Sequence, residues 1–293
     1  MLDGGLATQL ERAGHDLSDG LWSARLLRDD PGAIRAAHRA FLRAGADVSI
    51  TASYQASFPG FAAAGIGEGE TRALLRRSVE LARDAAAEVA REEGRATLVA
   101  ASVGPYGAML ADGSEYRGRY AAGAGELEAF HRERLAELVA AGPDLLAVET
   151  IPSLAEAEVL ARLLAEHPDM PAWMSFSCGS AEAISDGTPI EEAVATAAGA
   201  PNVIAVGVNC TPPEHVTGLL ERARAVTDLP FAVYPNDGRV WDGAARRFAG
   251  VAADGFPDSA LAAWRALGAR MIGGCCGIGP AAIRSIAAWR GAA

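Results

Sequence analysis

Short apolar runs rich in β-branched residues alternate along the chain with longer stretches whose apolar positions recur every three or four residues. The short runs read as strands. They are "MLDGG" (1–5), "ADVSITAS" (46–53), "ATLVAASVG" (96–104), "PDLLAVET" (143–150), "PAWMSFSC" (171–178), "NVIAVGVNC" (202–210), "PFAVYPN" (230–236) and "ARMIGGCC" (269–276). Between them the spacing predicts helices. One starts at Pro31, one spans roughly 69–93, and one over 213–226 places Val216, Leu219, Leu220, Ala223 and Val226 on a single face. Thr188 followed by Pro189 reads as an N-cap with proline at the first helical position. Near-continuous apolar strands alternating with helices imply a parallel sheet covered on both sides. Eight such units predict an α/β fold, a (β/α)8 TIM barrel in which residues 1–293 form one domain, with a doubly wound open sheet as the alternative.

Composition narrows the function classes. The formal net charge is −11, which argues against a nucleic-acid partner. All 26 basic residues are arginine, so lysine Schiff-base and pyridoxal-phosphate chemistry are excluded. No apolar run approaches the roughly 18 residues that span a bilayer, and "MLDGGLATQL" does not resemble a secretory signal, so a cytoplasmic location is expected. In a reducing compartment, four cysteines suggest metal or catalytic work rather than structural disulfides. The chain opens two residues before Asp3, so the first strand is expected to be short and its seam weak.

In such a barrel, chemistry collects at the C-terminal ends of the strands. Found there are Asp3 and Gly4, Thr51 and Ser53, Glu149 and Thr150, Cys178, Asn209 and Cys210, Tyr234 and Asn236, and the pair Cys275–Cys276. All four cysteines are thus expected to face one mouth. Cys210, Cys275 and Cys276 with one open position describe a catalytic zinc site, and soft thiolates favour zinc over magnesium or manganese. Gly273, Gly274 and Gly277 would let the backbone turn so that adjacent thiols reach one ion. Two alternatives stand beside this reading: His215 as a fourth ligand, closing a structural site, and a redox disulfide between Cys275 and Cys276. Asp3 and Glu149 read either as helix-capping or water-binding acids or as a general acid/base pair.

Taken together, the motifs resemble the homocysteine S-methyltransferase family nearly end to end. They are "DGGLATQLE" (3–11), "TASYQASFPGF" (51–61), "SVGPYGAMLADGSEYRGRY" (102–120), "AVETIPS" (147–153), "SDGTP" (185–189), "GVNC" (207–210), "YPNDG" (234–238) and "GGCCG" (273–277). The resemblance implies a (β/α)8 barrel with Zn2+ on Cys210, Cys275 and Cys276. It implies L-homocysteine held through its amino group by Asp3 and Glu149, with Gly4, Thr51, Ser53 and Asn209 as further candidate substrate-binding residues. The 102–120 segment is most similar to the branch using a cationic sulfonium donor, S-methylmethionine or S-adenosylmethionine. A betaine-using enzyme and a non-catalytic zinc- or thiol-binding barrel are the alternatives. Length argues against an added cobalamin or folate module. Cys178 lies outside the family's metal set. Tyr54, Tyr106, Tyr116 and Tyr234 are candidates for stacking on the sulfonium, and the 105–125 loop is a candidate lid.

Overall fold

The computed structural model describes every residue except 19, 243–246, 251–254 and 293. Its strands are β1 (Val48–Ile50), β2 (Leu98–Val103), β3 (Leu145–Ile151), β4 (Ala172–Phe176), β5 (Val203–Asn209), β6 (Phe231–Tyr234), β7 (Val240–Asp242), β8 (Arg247–Ala249) and β9 (Ala269–Ile272). Seven of them form one all-parallel sheet in the order β1-β2-β3-β4-β5-β6-β9, and β7 and β8 pair separately as an antiparallel ribbon. Six of the seven lie within a run expected from the sequence, and β3 runs one residue past its own, to Ile151. Helices such as Glu68–Glu93, Ala124–Ala140 and Leu154–Ala165 connect them, as parallel pairing requires, and helix Pro31–Arg43 leads into β1.

The expected first strand is reduced to one residue. Leu2 makes a parallel bridge to Val48 of β1, and its N–H donates to the carbonyl of Ile272 in β9 at 2.9 Å. The two outermost strands therefore meet the same residue, so the sheet is curled and its edges nearly join. The extended stretch ends because Asp3 is drawn into side interactions. Its carbonyl accepts from Gly274 N–H at 3.0 Å and its Oδ2 from Ile50 N–H at 2.8 Å, and helix Leu6–Arg12 follows at once.

Alternation along the strands builds two cores. Leu146 and Val148 of β3 face the helices, whereas Leu145 and Ala147 face inward with Leu2, Val48, Ala100, Trp173, Ala205, Ala232 and Tyr234. The same period of two carries Glu149 to the inner face. Gly207 of β5 is required for close approach, because a Cβ there would lie 1.8 Å from the carbonyl oxygen of Ala232. Two helix expectations shift. The helix expected over 213–226 ends at Arg224, leaving Val226 exposed, and the helix at Ile190 takes Pro189, not Thr188, as its cap residue.

The segment after β2 is folded and anchored. Helix Tyr106–Leu110 and a single 3-10 turn, Ser114–Tyr116, pack over the C-terminal strand ends. Glu156, wholly buried in helix Leu154–Ala165, holds this segment. Its Oε1 accepts from Tyr106 N–H at 2.6 Å and lies 2.7 Å from His131 Nε2, while Tyr120 OH donates to Oε2. Burial, partly offset by the Tyr106 N–H, pushes the Glu156 carboxyl up to about 8, and burial drives the His131 imidazole well below its usual value.

Two outcomes follow for stability. Leu2→Ala removes a fully buried side chain from the inner core at the seam and should lower stability by about 2–5 kcal/mol in urea unfolding. Glu156 keeps a proton in the fold between its ordinary pKa of 4.5 and about 8. Its stabilising contribution is therefore complete below the lower value and lost as pH rises through the upper one. Unfolding free energy should fall on the order of a few kcal/mol across that window, and Glu156→Gln should flatten the decline.

Candidate active site

The C-terminal ends of the strands open into a cavity of about 660 Å3 lined by, among others, Asp3, Thr51, Glu149, Cys210, Cys275 and Cys276. Cys210 follows β5, and Cys275 and Cys276 follow β9, so the topology places all three at the same end of two strands that flank β6. Their sulfur atoms lie within 4.8 Å of one another, with Cys210 Sγ and Cys276 Sγ 3.5 Å apart. Three thiolates on a tetrahedral zinc with bonds of about 2.3 Å would stand roughly 3.8 Å apart. The donor set thus fits such an ion in type and spacing.

Backbone contacts fix the sulfurs. Cys210 N–H donates to Tyr234 carbonyl at 3.2 Å, Cys275 N–H to Pro235 carbonyl at 2.8 Å, and Asp237 N–H to Cys276 carbonyl at 3.0 Å. Among the neighbouring glycines only Gly277 has a left-handed φ, at 84°. Gly273 is needed for a different reason than turning: a Cβ there would lie 2.6 Å from the Asp3 carbonyl oxygen. Hydrogen bonds from the thiols of Cys275 and Cys276 hold Cys210 well below the usual thiol range, and the same contacts push the other two up. The cluster carries one negative charge readily and resists three, which is the electrostatic condition a divalent cation relieves.

Both carboxylates here are buried. Asp3 Oδ1 is buried with no hydrogen-bond partner, and burial raises its pKa well above the ordinary value. Glu149 accepts from Ser102 Oγ, and burial pushes it up to about 7. Two desolvated acids lining one cavity suit a cationic group of a ligand.

Not every residue singled out from sequence faces this cavity. Gly4 and Thr51 line it. Thr51 Oγ1 accepts from Ser102 N–H at 3.0 Å. Ser53 turns into the wall, bonded to Thr51 Oγ1 at 2.7 Å and to the carbonyl of Ser102 at 2.7 Å. Asn209 is fully buried and its amide is committed: Oδ1 accepts from Thr150 N–H at 2.7 Å and Ser175 Oγ at 2.8 Å, and Nδ2 donates to Thr150 Oγ1 at 2.7 Å. Cys178 departs from the expectation of a common mouth. It is buried in the helix-side core, and burial pushes its thiol up to about 12. His215 lies outside the sulfur cluster among the described residues. Tyr54, Tyr116 and Tyr234 line the cavity, and Tyr116 OH reaches Cys210 Sγ at 3.7 Å. Tyr106 instead bonds Glu126 at the surface, at 2.6 Å.

Two features escaped the sequence reading. Glu115 lines the cavity within a loop that has no periodicity to interpret. Arg134, wholly buried, donates to the carbonyls of Gly104 at 2.9 Å, Ser53 at 3.1 Å and Tyr54 at 2.8 Å, tying two strand ends together. A signal for it existed: Arg134 falls on the buried stripe Leu127, Phe130, His131, Leu135, Leu138 of its helix, where a solvated arginine has no place.

Comparison with known proteins agrees with this geometry. Residues 1–289 match the homocysteine S-methyltransferase family. Homocysteine S-methyltransferase YbgG of Bacillus subtilis is 46% identical over 294 residues, covering 99% of this chain and 93% of its own. Homocysteine S-methyltransferase of Escherichia coli is 47% identical over 296 residues, covering 98% and 94%. The crystal structure of the homocysteine methyltransferase MmuM from Escherichia coli, in metallated form, superposes with a TM-score of 0.88 at 46% identity, over 98% of this chain and 94% of that one. No described helix is long and apolar enough to cross a membrane. Motif order, sulfur cluster and end-to-end similarity converge, and this chain belongs to the homocysteine S-methyltransferase family.

Proposed function

We propose that the chain transfers a methyl group from a sulfonium donor, S-methylmethionine or S-adenosylmethionine, to the sulfur of L-homocysteine, giving methionine. The observation that carries this reading is the meeting, in one cavity, of three sulfurs spaced for a tetrahedral ion with two buried carboxylates, one of which, Asp3, keeps an oxygen without a partner. Cys210, Cys275 and Cys276 would hold Zn2+, and MmuM, a relative crystallised in metallated form, supports a metal here. The chemistry such an ion supplies when bound is to lower the pKa of a thiol, so that homocysteine reacts as a thiolate at neutral pH.

The rest falls to the protein's own groups. Asp3 Oδ1 and Glu149 accept from the homocysteine ammonium, and Gly4 and Thr51 shape the adjoining wall. Asn209 and Ser53 act behind that wall as positioning residues. No general acid is required, because a sulfonium leaves as a neutral thioether. The whole chain, 1–293, is read as one (β/α)8 barrel domain in which Leu2 is the eighth stave. The free state of all four cysteines suits a reducing compartment such as the cytoplasm.

Purified protein should form methionine from homocysteine and S-methylmethionine and carry about one zinc per three-thiolate site. Activity should vanish on chelation and return with Zn2+. Turnover by metal-free protein would overturn the metal assignment. Glu149→Gln should raise the KM for homocysteine at least about tenfold, with zinc content unchanged. Loss of zinc in that variant would instead make Glu149 part of the metal site.

A further inference from the structure

We propose that Glu115 determines donor specificity by receiving the cationic centre of the methyl donor, an inference that rests on the reading of the site given above. Its position is built. The Glu115 carbonyl accepts from Ser177 Oγ at 2.8 Å, and its N–H lies against Gly107, where a Cβ would come within 2.7 Å. The next residue, Tyr116, places its hydroxyl 3.7 Å from Cys210 Sγ, so the turn that carries Glu115 abuts the sulfur cluster. The Glu115 side chain lines the same cavity as the three cysteines.

One oxygen of this side chain lacks a partner. Glu115 Oε2 is shielded from solvent and accepts no hydrogen bond. The nearest cations in sequence and cavity are engaged elsewhere. Arg117 donates to the carbonyl of Asp112 at 3.1 Å and to Ser114 Oγ at 3.2 Å, and Arg239 is paired with Asp237 at 2.7 Å. An uncompensated carboxylate oxygen removed from water is destabilised unless a ligand supplies the charge.

The reaction has three cationic groups to seat, homocysteine's ammonium and the sulfonium and ammonium of the donor. Homocysteine's ammonium is assigned to Asp3 and Glu149, on the N-terminal segment and β3. The donor's sulfonium needs a second acceptor. Among the described residues, the cavity wall presents five carboxylates, Asp3, Glu11, Asp16, Glu115 and Glu149, against the single guanidinium of Arg239. Of these, only Asp3 and Glu115 keep a buried oxygen without a partner.

The direction of the kinetic effect follows from charge balance. During transfer the homocysteine sulfur forms a bond to the methyl carbon. The electron pair of the breaking S–C bond returns to the donor sulfur, whose positive charge disappears. Glu115 therefore attracts the donor more strongly before reaction than in the transition state, so it lowers the donor's KM without raising kcat.

Initial rates of zinc-loaded wild type, Glu115→Gln and Glu115→Asp, with homocysteine and S-methylmethionine varied in turn, test this. In Glu115→Gln the KM for S-methylmethionine should rise about tenfold or more, kcat should hold or increase, and the KM for homocysteine should stay within about twofold. Glu115→Asp, which keeps the carboxylate, should recover part of the donor affinity. The inference is overturned by an unchanged donor KM in Glu115→Gln, by both KM values rising together, or by a fall in kcat alone. An active wild type with any of these results removes Glu115 and leaves the proposed function standing. A zinc-loaded wild type inactive with both S-methylmethionine and S-adenosylmethionine overturns that function and this inference with it.

Discussion

The site hangs on the exchange of hydrogen bonds between the Asn209 side chain and Thr150. Thr150 and Cys210 both adopt left-handed backbone, with φ of 61° and 47°, conformations that side chains other than glycine rarely take. Each such residue costs of the order of 1–3 kcal/mol and persists only where its surroundings impose it. Asn209 supplies that imposition: its amide satisfies both the N–H and the hydroxyl of Thr150, and Ser175 holds the amide in place. Thr150 follows Glu149 in the chain, and Asn209 precedes Cys210. One clasp therefore sets the separation between the Glu149 carboxylate and the Cys210 sulfur, although they come from β3 and β5.

Around this clasp the protein concentrates negative charge and provides little to neutralise it. Three cysteines share what amounts to one readily formed thiolate, and Asp3, Glu149 and Glu115 are all raised by burial. Arg134 is the buried cation nearest in effect to Glu149, yet its hydrogen bonds go to three backbone carbonyls. Such a cavity is electrostatically incomplete without cations. The proposed reaction brings four: a divalent metal, the ammonium of homocysteine, and the sulfonium and ammonium of the donor. Their binding offsets the desolvation of the buried acids.

Sequence made the strands legible because seven of them carry apolar runs buried on both faces, and it made the cysteines and acids legible because they end those runs. It failed where an outcome depends on register between strands. Ser53 and Asn209 sit at strand ends like Glu149, yet they are consumed by cross-strand partners, Ser102 for one and Thr150 with Ser175 for the other. Nothing in a single strand's pattern discloses its neighbour's register. Cys178 failed similarly. A strand end gives a side chain one of two faces, and β4 stops at Phe176, which puts Cys178 on the helix side. Glu115 lay inside a quoted motif but in an aperiodic loop, where only folded geometry shows an unpartnered oxygen. The expected first strand misled because residues 1–5 have strand composition while a single residue completes the ladder.

That single residue shows why fold and site cannot be separated here. The segment that brings the sheet edges together through Leu2 continues directly into Asp3, whose carbonyl accepts from Gly274 beside Cys275 and whose carboxylate accepts from Ile50 of β1. Thr8, one turn later, accepts from Gly277 N–H at 2.9 Å, and Arg12 donates to the Gly277 carbonyl at 3.2 Å. The turn bearing the cysteine pair is thus held from below by the seam and from the side by the first helix. Contacts between the two ends of the chain, more than 260 residues apart along the sequence, complete both the curled sheet and the sulfur cluster. A lesion at the seam should consequently act twice, on global stability through the inner core and on metal affinity through the displaced cysteine turn, whereas one in the outer helices would reach only the first.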